Sequence, residues 1–372
     1  MHFIYITAKT YPGNTADHHY IRQLSQGFAK VLGNDMQFIA RGDTRDFKGV
    51  NYLRLPQIRW IKSSIFFVFW ILFFSIKSLK KLKDMVFFSN DSYLLTILII
   101  WKKILGFKYK ICSDWHHLFY DWRDKFIASN SDALITTSNK LKKNIIDNTR
   151  VGEGMISAIY GGVDMDLYSG LQENLRLKLG LPEDKIIVGY VGLFKTFGLE
   201  KGIVTMIEAL KNLPEKFVMA FVGGTPAEIK EYSAYADSFG VMGRCLFVGR
   251  KKGNEIATYQ MAMDILAIPY PNQPHFRESG FPMKVYEYMA SKKPILYSRL
   301  DLVEEILSDC GIGFIADDPA DFSLRAKEIA ENNFYPELVS VAYLKLKKYT
   351  WDEKARRIID FIKQKCRKKS FI

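Results

Sequence analysis

Residues 264–307 read DILAIPYPNQPHFRESGFPMKVYEYMASKKPILYSRLDLVEEIL. A short apolar run ends at Pro269 and Tyr270, a polar loop follows, and an amphipathic segment then precedes a second apolar run, KPILYSR. An apolar strand, a helix and another apolar strand in this order are typical of a parallel sheet with helices on both faces. This stretch therefore predicts an α/β fold.

The same alternation extends along all 372 residues, a length that suits two domains. The predicted strands of the first half cover residues 2–7, 36–40, 51–55, 85–89, 109–113, 133–137 and 156–160, and those of the second half cover 186–192, 216–224, 245–250, 264–271, 293–299 and 313–317. Between the halves, the sequence from 164 to 185 is polar and irregular. We predict two Rossmann-like, doubly wound parallel-sheet domains at 1–165 and 183–348 that face a central cleft, and a last helix at 349–372 that packs back toward the first domain.

The composition is that of a globular protein, with 48% apolar and 25% charged residues. The four cysteines show no CxxC or Cys/His spacing, which argues against a disulfide framework or a zinc site and favours the reducing cytoplasm. The start, MHFIYITAKTYPG, predicts a first strand rather than a signal peptide. The net charge of +13 indicates an anionic partner: nucleic acid, an anionic membrane or a phosphorylated substrate. Nucleic acid is disfavoured, because no zinc-finger, RNA-recognition or basic-zipper signature is present.

Two apolar runs in the first half have basic flanks. They are SSIFFVFWILFFSI at 63–76 and SYLLTILIIW at 92–101, and lysines follow both. Neither reaches the roughly 20 apolar residues that a bilayer-spanning helix needs. One interpretation is two buried helices of an α/β domain. The other, for the basic apolar patch at 60–84 above all, is an interfacial surface on anionic lipid at the inner face of the membrane.

The loop and helix after Tyr270 combine an anion site with a hydroxyl site. Gly280-Phe281-Pro282 opens a predicted helix, whose free N–H groups and partial positive charge suit a diphosphate. Lys284 adds a full positive charge in the first turn, and Glu287 follows where a carboxylate can accept hydrogen bonds from the vicinal hydroxyls of a ribose. No GxGxxG follows the first strand and no GxxxxGK[ST] occurs, which disfavours dinucleotide and P-loop sites.

A series of motifs resembles the large retaining glycosyltransferase family called glycosyl transferases group 1, which has the GT-B fold. These motifs are SDWHH at 113–117, ITTS at 135–138, YGGVD at 160–164, GYVG at 189–192, EKG at 200–202, FVGG at 221–224, FVGR at 247–250 and PMKVYEYMA at 282–290. The resemblance covers the whole second half and is thinner in the first.

The resemblance implies donor contacts in the second half. The family's E-x7-E motif places its second glutamate, on the donor ribose, at Glu287. Its first glutamate falls at Ser279, with Glu278 one residue away. An arginine that the family uses on the donor phosphates is replaced by Leu193, with Lys195 nearby as a substitute, whereas Lys201 matches the family's phosphate-binding lysine. The expected donor site comprises Gly13, Gly192, Lys195, Lys201, Gly224, Arg250, Tyr270, Ser279, Gly280, Phe281, Pro282, Met283, Lys284 and Glu287.

The first half is expected to serve the acceptor. Asp114 and His116 match an acidic-x-His pattern of the family, and His117 is adjacent. The turn at residues 13–19 is the analogous acceptor-side loop, in which Gly13 allows close approach of the backbone to a ligand. The expected catalytic residues are His116, Lys201 and Glu287.

The implied reaction is retaining transfer from a nucleoside diphosphate sugar to a glycan acceptor, which the basic apolar patch predicts to be lipid-linked. Lysines and the helix N-terminus would neutralise the leaving diphosphate, so no metal and no further cofactor are expected. No carboxylate pair typical of a glycosidase is evident. Two alternatives stay open, a nucleotide-sugar epimerase or sugar phosphorylase on the same fold, and a non-catalytic partner protein.

Overall fold

The structure is a computed structural model that describes residues 1–13, 15–42, 47, 49–52, 69, 71–73, 76, 79–170, 173–196, 198–278 and 283–368. Its internal contacts divide the chain into two units, Met1–Gly162 with Trp351–Ile372, and Val163–Thr350. The boundary after Gly162 lies slightly before the expected limit of the first domain at 165. The polar stretch up to 182 belongs to the second unit.

The first unit alternates strands and helices from its first residues. Its elements before the chain enters the second unit are β1 (His2–Tyr11), α1 (Ala16–Leu32), β2 (Met36–Gly42), β3 (Met85–Ser89), α2 (Ser92–Ile104), β4 (Lys110–Trp115), α3 (Trp122–Asn130), β5 (Ala133–Thr136), α4 (Asn139–Thr149) and β6 (Ile156–Ala158). The six strands form one parallel sheet in the order β2-β1-β3-β4-β5-β6. Every residue of β3 is buried, as expected for a parallel strand whose two faces are both covered.

The second unit repeats this plan. Its elements are α5 (Leu175–Leu179), β7 (Ile186–Val191), β8 (Lys195–Thr196), β9 (Leu199–Glu200), α6 (Ile203–Ala209), β10 (Phe217–Gly224), α7 (Pro226–Ser238), β11 (Cys245–Gly249), α8 (Asn254–Ala262), β12 (Ile265–Ile268), α9 (Pro274–Glu278), α10 (Lys284–Ala290), β13 (Ile295–Ser298), α11 (Asp301–Leu307), β14 (Ile312–Phe314), α12 (Pro319–Glu331) and α13 (Pro336–Lys345). The large sheet is parallel, in the order β11-β10-β7-β12-β13-β14. Short 3₁₀ turns, such as Met165–Tyr168, link several elements.

A last helix, α14 (Trp351–Lys368), belongs to the first unit. Its buried side chains recur every three or four residues, which gives one apolar face: Ala355, Ile358, Ile359 and Ile362. This face packs on α1, where a Cβ on Gly27 would lie only 2.7 Å from the carbonyl oxygen of Trp351. Glycine at this position therefore allows the two helices to approach closely.

The predicted strands are confirmed with small shifts at their ends, except at residues 51–55. There Tyr52 forms only an isolated parallel bridge with Phe38, and residues 53–55 lie outside the described part. The antiparallel hairpin of β8 and β9 was not predicted, because two-residue strands carry no readable periodicity.

The two apolar runs have different outcomes. Most of 63–76 lies outside the described residues; of those described, Ile71 is buried, whereas Phe69, Phe73 and Ile76 are exposed. The run at 92–101 forms most of α2, which buries Leu94, Leu95, Leu98 and Ile99 in the core and exposes Tyr93, Ile100 and Ile104. Within the described ranges, no helix is both long enough and apolar enough to cross a membrane.

Candidate functional site

The centre of the second sheet is a topological switch point. β7 and β12 are neighbours, and the chain continues from them toward opposite edges of the sheet. Open α/β sheets bind ligands in the crevice beyond the carboxyl ends of such strands. The residues that follow these two strands are Gly192 and Leu193 after β7, and Pro269 and Tyr270 after β12.

Two glycines bring the backbone close together at this point. Gly202, just before α6, has φ of 86°, and a Cβ there would lie 1.7 Å from the carbonyl oxygen of Pro269. Gly192 has φ of 150°, and a Cβ there would lie 2.7 Å from the Nζ atom of Lys284. A side chain would be strained at both positions by the positive φ; at Gly202 it would also collide with the backbone, and at Gly192 it would displace the Lys284 ammonium group.

Lys284 places its ammonium group against Gly192 at this switch point. Its Nζ atom is closed off from solvent and lies 3.7 Å from the ring centre of Tyr190 and 5.6 Å from that of Tyr270. It forms no hydrogen bond with any residue that the structure describes. Burial, and then the charge of Lys201, hold the pKa of Lys284 well below its ordinary value, and only Glu287 opposes them. The aromatic faces offer partial compensation, but no carboxylate of the described residues forms an ion pair with this buried ammonium group.

Lys201, between β9 and α6, is the second cation of this site. Its Nζ atom lies 5.9 Å from the ring centre of Tyr270, so Tyr270 lies next to both lysines. Burial lowers the pKa of Lys201 to about 8, against a weaker opposing effect of Glu228. The charge of Lys201 in turn lowers the pKa of Lys284, and two neighbouring ammonium groups favour an anion between or beside them.

Glu200 satisfies the first turn of α6 from within the chain. Its carboxylate accepts hydrogen bonds from the N–H groups of Gly202, Ile203 and Val204, and burial raises its pKa. The carboxylate of Glu200 therefore occupies the N-terminus of α6. The positive charge of the site consequently comes from Lys201 and Lys284.

Glu287 on α10 is held by a short chain of hydrogen bonds. Gln260, which is fully buried, donates from Nε2 to Glu287 Oε2 at 3.1 Å, and Tyr168 donates to Gln260 Oε1 at 2.5 Å. The other oxygen of Glu287 forms no hydrogen bond within the described part of the chain. The carboxylate is therefore oriented by one oxygen, and the second can accept from a ligand hydroxyl.

The other residues expected at the donor site have other surroundings or lie outside the described part of the chain. Lys195 forms an ion pair with Glu231 at 2.7 Å, so it is already compensated. Arg250 is exposed at the end of β11. The space beside Gly224 is filled by Phe194, whose ring would lie 2.4 Å from a Cβ. Met283 is the residue before α10, whereas Ser279, Gly280, Phe281 and Pro282 lie outside the described residues.

In the first unit, Asp114 and His116 lie together at the end of β4. Asp114 Oδ2 accepts a hydrogen bond from Tyr20 at 2.8 Å and lies 3.3 Å from His116 Nε2. Burial acts to raise the pKa of Asp114, but His116, Lys354 and Tyr20 together hold it below its ordinary value. The pair is thus a buried carboxylate with a half-buried imidazole in front of it.

The other residues that the sequence suggested for the acceptor side are Gly13 and His117. His18 Nδ1 lies 2.7 Å from Thr15 Oγ1, and its ring fills the space beside Gly13, 2.2 Å from where a Cβ would stand. The group that approaches Gly13 closely is therefore the protein's own His18. His117 is exposed and packs on Phe119 with ring centres 4.6 Å apart. Among the described residues, no group of three His, Cys, Asp or Glu side chains could hold a metal ion.

Sequence reasoning did not identify several residues of these sites. They are Tyr20, Tyr168, Tyr190, Glu200, Gln260 and Lys354. Each acts through a contact that is distant in sequence or inside a helix pattern. Of these, only Glu200 had a readable signal, because an acidic residue just before a helix is typical of N-terminal capping.

Comparisons with known proteins give matches in sequence and in fold. Residues 172–339 match the family model described as Glycosyl transferases group 1. A D-inositol 3-phosphate glycosyltransferase of Xylanimonas cellulosilytica is 23% identical over 256 residues, which covers 65% of this chain and 59% of that protein. The chain thus spans less than two thirds of the length of this relative.

Solved structures show the same fold. Anabaena HepE in complex with UDP matches with a TM-score of 0.76 at 15% identity, covering 98% of this chain and 100% of that one. The apo form of the lipopolysaccharide outer core galactosyltransferase WaaB matches with a TM-score of 0.73 at 15% identity, with coverage of 98% and 100%. The expected GT-B fold, with two Rossmann-like parallel-sheet units, is thereby confirmed.

Proposed function

We propose, on the premise that residues 172–339 belong to the Glycosyl transferases group 1 family, that this protein is a retaining glycosyltransferase. Its donor is a nucleoside diphosphate sugar, and its acceptor is a glycan, carried on a lipid, in the assembly of a cell-surface polysaccharide. HepE, one of the structural neighbours, has been solved with UDP and with UDP-glucose, which supports a donor of this class.

The observation that carries this proposal is the pair of cations beside Tyr270. Lys284 and Lys201 form no ion pair with any described carboxylate, and burial depresses the pKa of both. A diphosphate brings two or more negative charges to one place and would restore both lysines to their charged form. Glu287 lies on the same helix as Lys284, one turn away, where its free oxygen can accept from a ribose hydroxyl.

The chemistry follows from this charge distribution. The bond between the anomeric carbon and the diphosphate oxygen breaks, and the leaving oxygen becomes negative. Lys201 and Lys284 stabilise that charge, so they lower the barrier without a metal ion. The acceptor hydroxyl forms the new bond to the anomeric carbon on the face that the diphosphate leaves, and its proton passes to the leaving diphosphate.

The first unit contributes the Asp114–His116 pair. Because Asp114 faces His116 Nε2, the other ring nitrogen, Nδ1, is left for the sugar or the acceptor. An imidazole fixed by a buried carboxylate is suited to orient a neutral hydroxyl by hydrogen bonding. Asp114 is therefore a positioning residue and His116 a candidate contact residue.

The donor is identified by a binding and turnover experiment. Titration calorimetry with UDP, GDP and ADP selects the nucleotide, and the matching nucleotide sugars are then incubated with a lipid extract. We expect one nucleoside diphosphate to bind and one labelled sugar to move to a lipid-soluble product with retained anomeric configuration, read by NMR. Failure of all three nucleotides to bind would overturn the donor assignment. Release of a sugar phosphate that requires orthophosphate would identify a phosphorylase instead.

Peripheral attachment to the inner face of the membrane is the second part of this proposal. It is supported by the exposed apolar side chains Phe69, Phe73 and Ile104 of the first unit and by the net charge of +13. Two lysines near α2 contribute less than the sequence suggests, because Lys102 and Lys110 both lie within 4 Å of Asp132.

Liposome flotation tests the attachment directly. Vesicles with anionic lipid should retain the protein at low salt, and the double variant F69S/F73S should release it. The matched control is L344S in the second unit, since Leu344 is 63% exposed and Phe69 likewise 63%. Equal retention of all three proteins, or none by the unsubstituted one, rules the attachment out.

A further inference from the structure

Lys354, in the first turn of α14, is a buried cation to which the proposed reaction assigns no role. The residue is only 1% exposed. Its Nζ atom donates hydrogen bonds to the carbonyl oxygens of Ile159 at 2.6 Å and Tyr160 at 2.9 Å. Burial of a lysine is rare and is normally accompanied by a partner of opposite charge.

The two carbonyl groups lie where the chain leaves the first unit. Ile159 and Tyr160 come three and two residues before Gly162, where the first segment of that unit ends, and Lys354 comes three residues after Trp351, where the chain returns. The crossing segments are in close contact, because a Cβ on Gly162 would lie 2.6 Å from the ring of Trp351. Lys354 therefore joins the outgoing and the returning segment.

The charge of Lys354 acts on Asp114. The Nζ atom lies 5.3 Å from the ring centre of Tyr20, and the hydroxyl of Tyr20 donates to Asp114 Oδ2. Lys354 lowers the pKa of Asp114, and Asp114 in turn raises that of Lys354, although burial outweighs this effect and the pKa of Lys354 is lowered to about 8. The Oδ1 atom of Asp114 is buried and accepts no hydrogen bond from a described residue, so the remaining charge of this carboxylate is met through space.

Other titratable groups face the same carboxylate. Tyr5 on β1 and Tyr20 on α1 both have a raised pKa, for which burial comes first and Asp114 second. Arg357, one turn along α14, acts on Lys354 and lowers its pKa. Of the groups that favour the charged form of Asp114, His116 lies in front of it and Lys354 comes from the returning helix.

We propose that Lys354 is a positioning residue of the acceptor side, which supplies the counter-charge of Asp114 and thereby fixes the Asp114–His116 pair. This inference rests on the proposed function for its effect on transfer. Its effect on Asp114 itself does not depend on any substrate. The returning helix thus takes part in the site in addition to packing on α1.

The competing explanation is that Lys354 merely caps two carbonyl groups at the crossing. Two substitutions separate these roles. Lys354→Gln keeps an N–H donor for the carbonyl oxygens and removes the charge, whereas Lys354→Met removes both. Lys363→Gln, at an exposed position of the same helix, is the matched control.

The primary measurement is the titration of Asp114, followed by carboxyl carbon NMR in protein labelled at aspartate and assigned with Asp114→Asn. We expect Lys354→Gln to move the midpoint of Asp114 to higher pH by about one unit, and to lower kcat about tenfold. The affinity for the nucleoside diphosphate and the KM of the donor should stay within about twofold, because the second unit is unchanged. Lys363→Gln should match the unsubstituted protein in every measurement.

The outcomes are distinct. If Lys354→Gln leaves both the titration of Asp114 and kcat unchanged, Lys354 only caps carbonyl groups and the proposal is overturned. A shifted titration with unchanged kcat also overturns it, since the charge then has no effect on the site. Should Lys354→Met fail to fold, Lys354→Gln alone decides. If Lys354→Gln shifts the titration of Asp114 but even the unsubstituted protein transfers no sugar, the proposed function is rejected. The electrostatic link between Lys354 and Asp114 then still stands.

Discussion

The two units place opposite electrostatic states at equivalent points of the same kind of sheet. In the first unit, Asp114 at the end of β4 is met by Tyr20, His116 and Lys354. In the second, Lys284 and Lys201 lie beside the ends of β7 and β12 without a carboxylate in ion-pair contact among the described residues. A balanced buried charge orients neutral groups, whereas an unbalanced one gains most from a ligand that supplies the missing charge.

This difference explains a division of labour within one architecture. Parallel sheets bring loops and helix starts to one edge, but the edge alone carries no chemical preference. The preference comes from whether the chain supplies its own counter-ion. The first site has its counter-charges within its own chain, whereas the described residues supply no ion-paired carboxylate to the second, where we propose that a diphosphate binds.

Lys284→Met should have the largest effect on this contrast, because it removes the buried charge. Binding of the selected nucleoside diphosphate is expected to weaken about 100-fold, since a hydrogen bond to a charged group contributes about 1.5–3 kcal/mol. The variant without ligand should also unfold at a higher temperature, because an unpaired buried ammonium group costs free energy. Calorimetry and thermal unfolding measure the two effects. Unchanged affinity together with a lower unfolding temperature would show that Lys284 is structural.

Asp114→Asn, in the first unit, should affect sugar transfer and not nucleotide affinity, which is the opposite of the effect expected for Lys284→Met. The amide keeps the shape of the carboxylate but no longer holds His116 or compensates Lys354. Sugar transfer is expected to slow by about 30-fold, or about 2 kcal/mol, while nucleotide affinity stays within about twofold. Asp121→Asn is the control, since Asp121 pairs with Arg123 at the surface. Loss of nucleotide affinity in Asp114→Asn would contradict the separation of the two sites.

The open site should also depend on pH. Because Lys201 has a pKa of about 8 and the bound diphosphate requires its proton, affinity should fall as pH rises above 8, by up to about tenfold per unit. Below pH 8 the affinity should level off. Lys201→Arg keeps its charge at every pH, so its affinity should fall less steeply through this range, and the fall that is left should arise from Lys284. A fall of equal steepness in Lys201→Arg would assign the pH dependence to another group.

Lys195→Met should have the smallest effect, although the sequence suggested Lys195 as a donor contact. Its ion pair with Glu231 is about one third exposed on the lysine side, and pairs of this kind contribute about 1 kcal/mol or less. Nucleotide affinity should change by less than about threefold in the same calorimetric assay. A loss as large as that of Lys284→Met would mean that Lys195 leaves Glu231 to bind the donor.

Most of the fold and part of the site could be predicted from the sequence, and the limits have physical causes. Strand periodicity and glycine turns are local, so β1 to β14 were predicted apart from the β8–β9 hairpin, whereas the strand predicted at 51–55 is only an isolated bridge at Tyr52 in the described residues. Lys284 and Glu287 were proposed because they follow a predicted helix start, and Lys201 because it matches a motif of the family that the sequence resembles. The partners of Glu287 were missed, since Gln260 and Tyr168 reach it from other elements.

The sequence by itself determined the alternation of strands and helices, the order of the motifs and the residue types of the donor site. Only the tertiary structure decided which charges are compensated. Both Lys195 and Lys284 were expected at the donor site from the sequence. In the structure Glu231 neutralises Lys195. Lys284 is instead buried against Gly192 and Tyr190 without a described carboxylate partner. Charge compensation depends on distances between residues far apart in the chain, and those distances exist only after the sheet has formed.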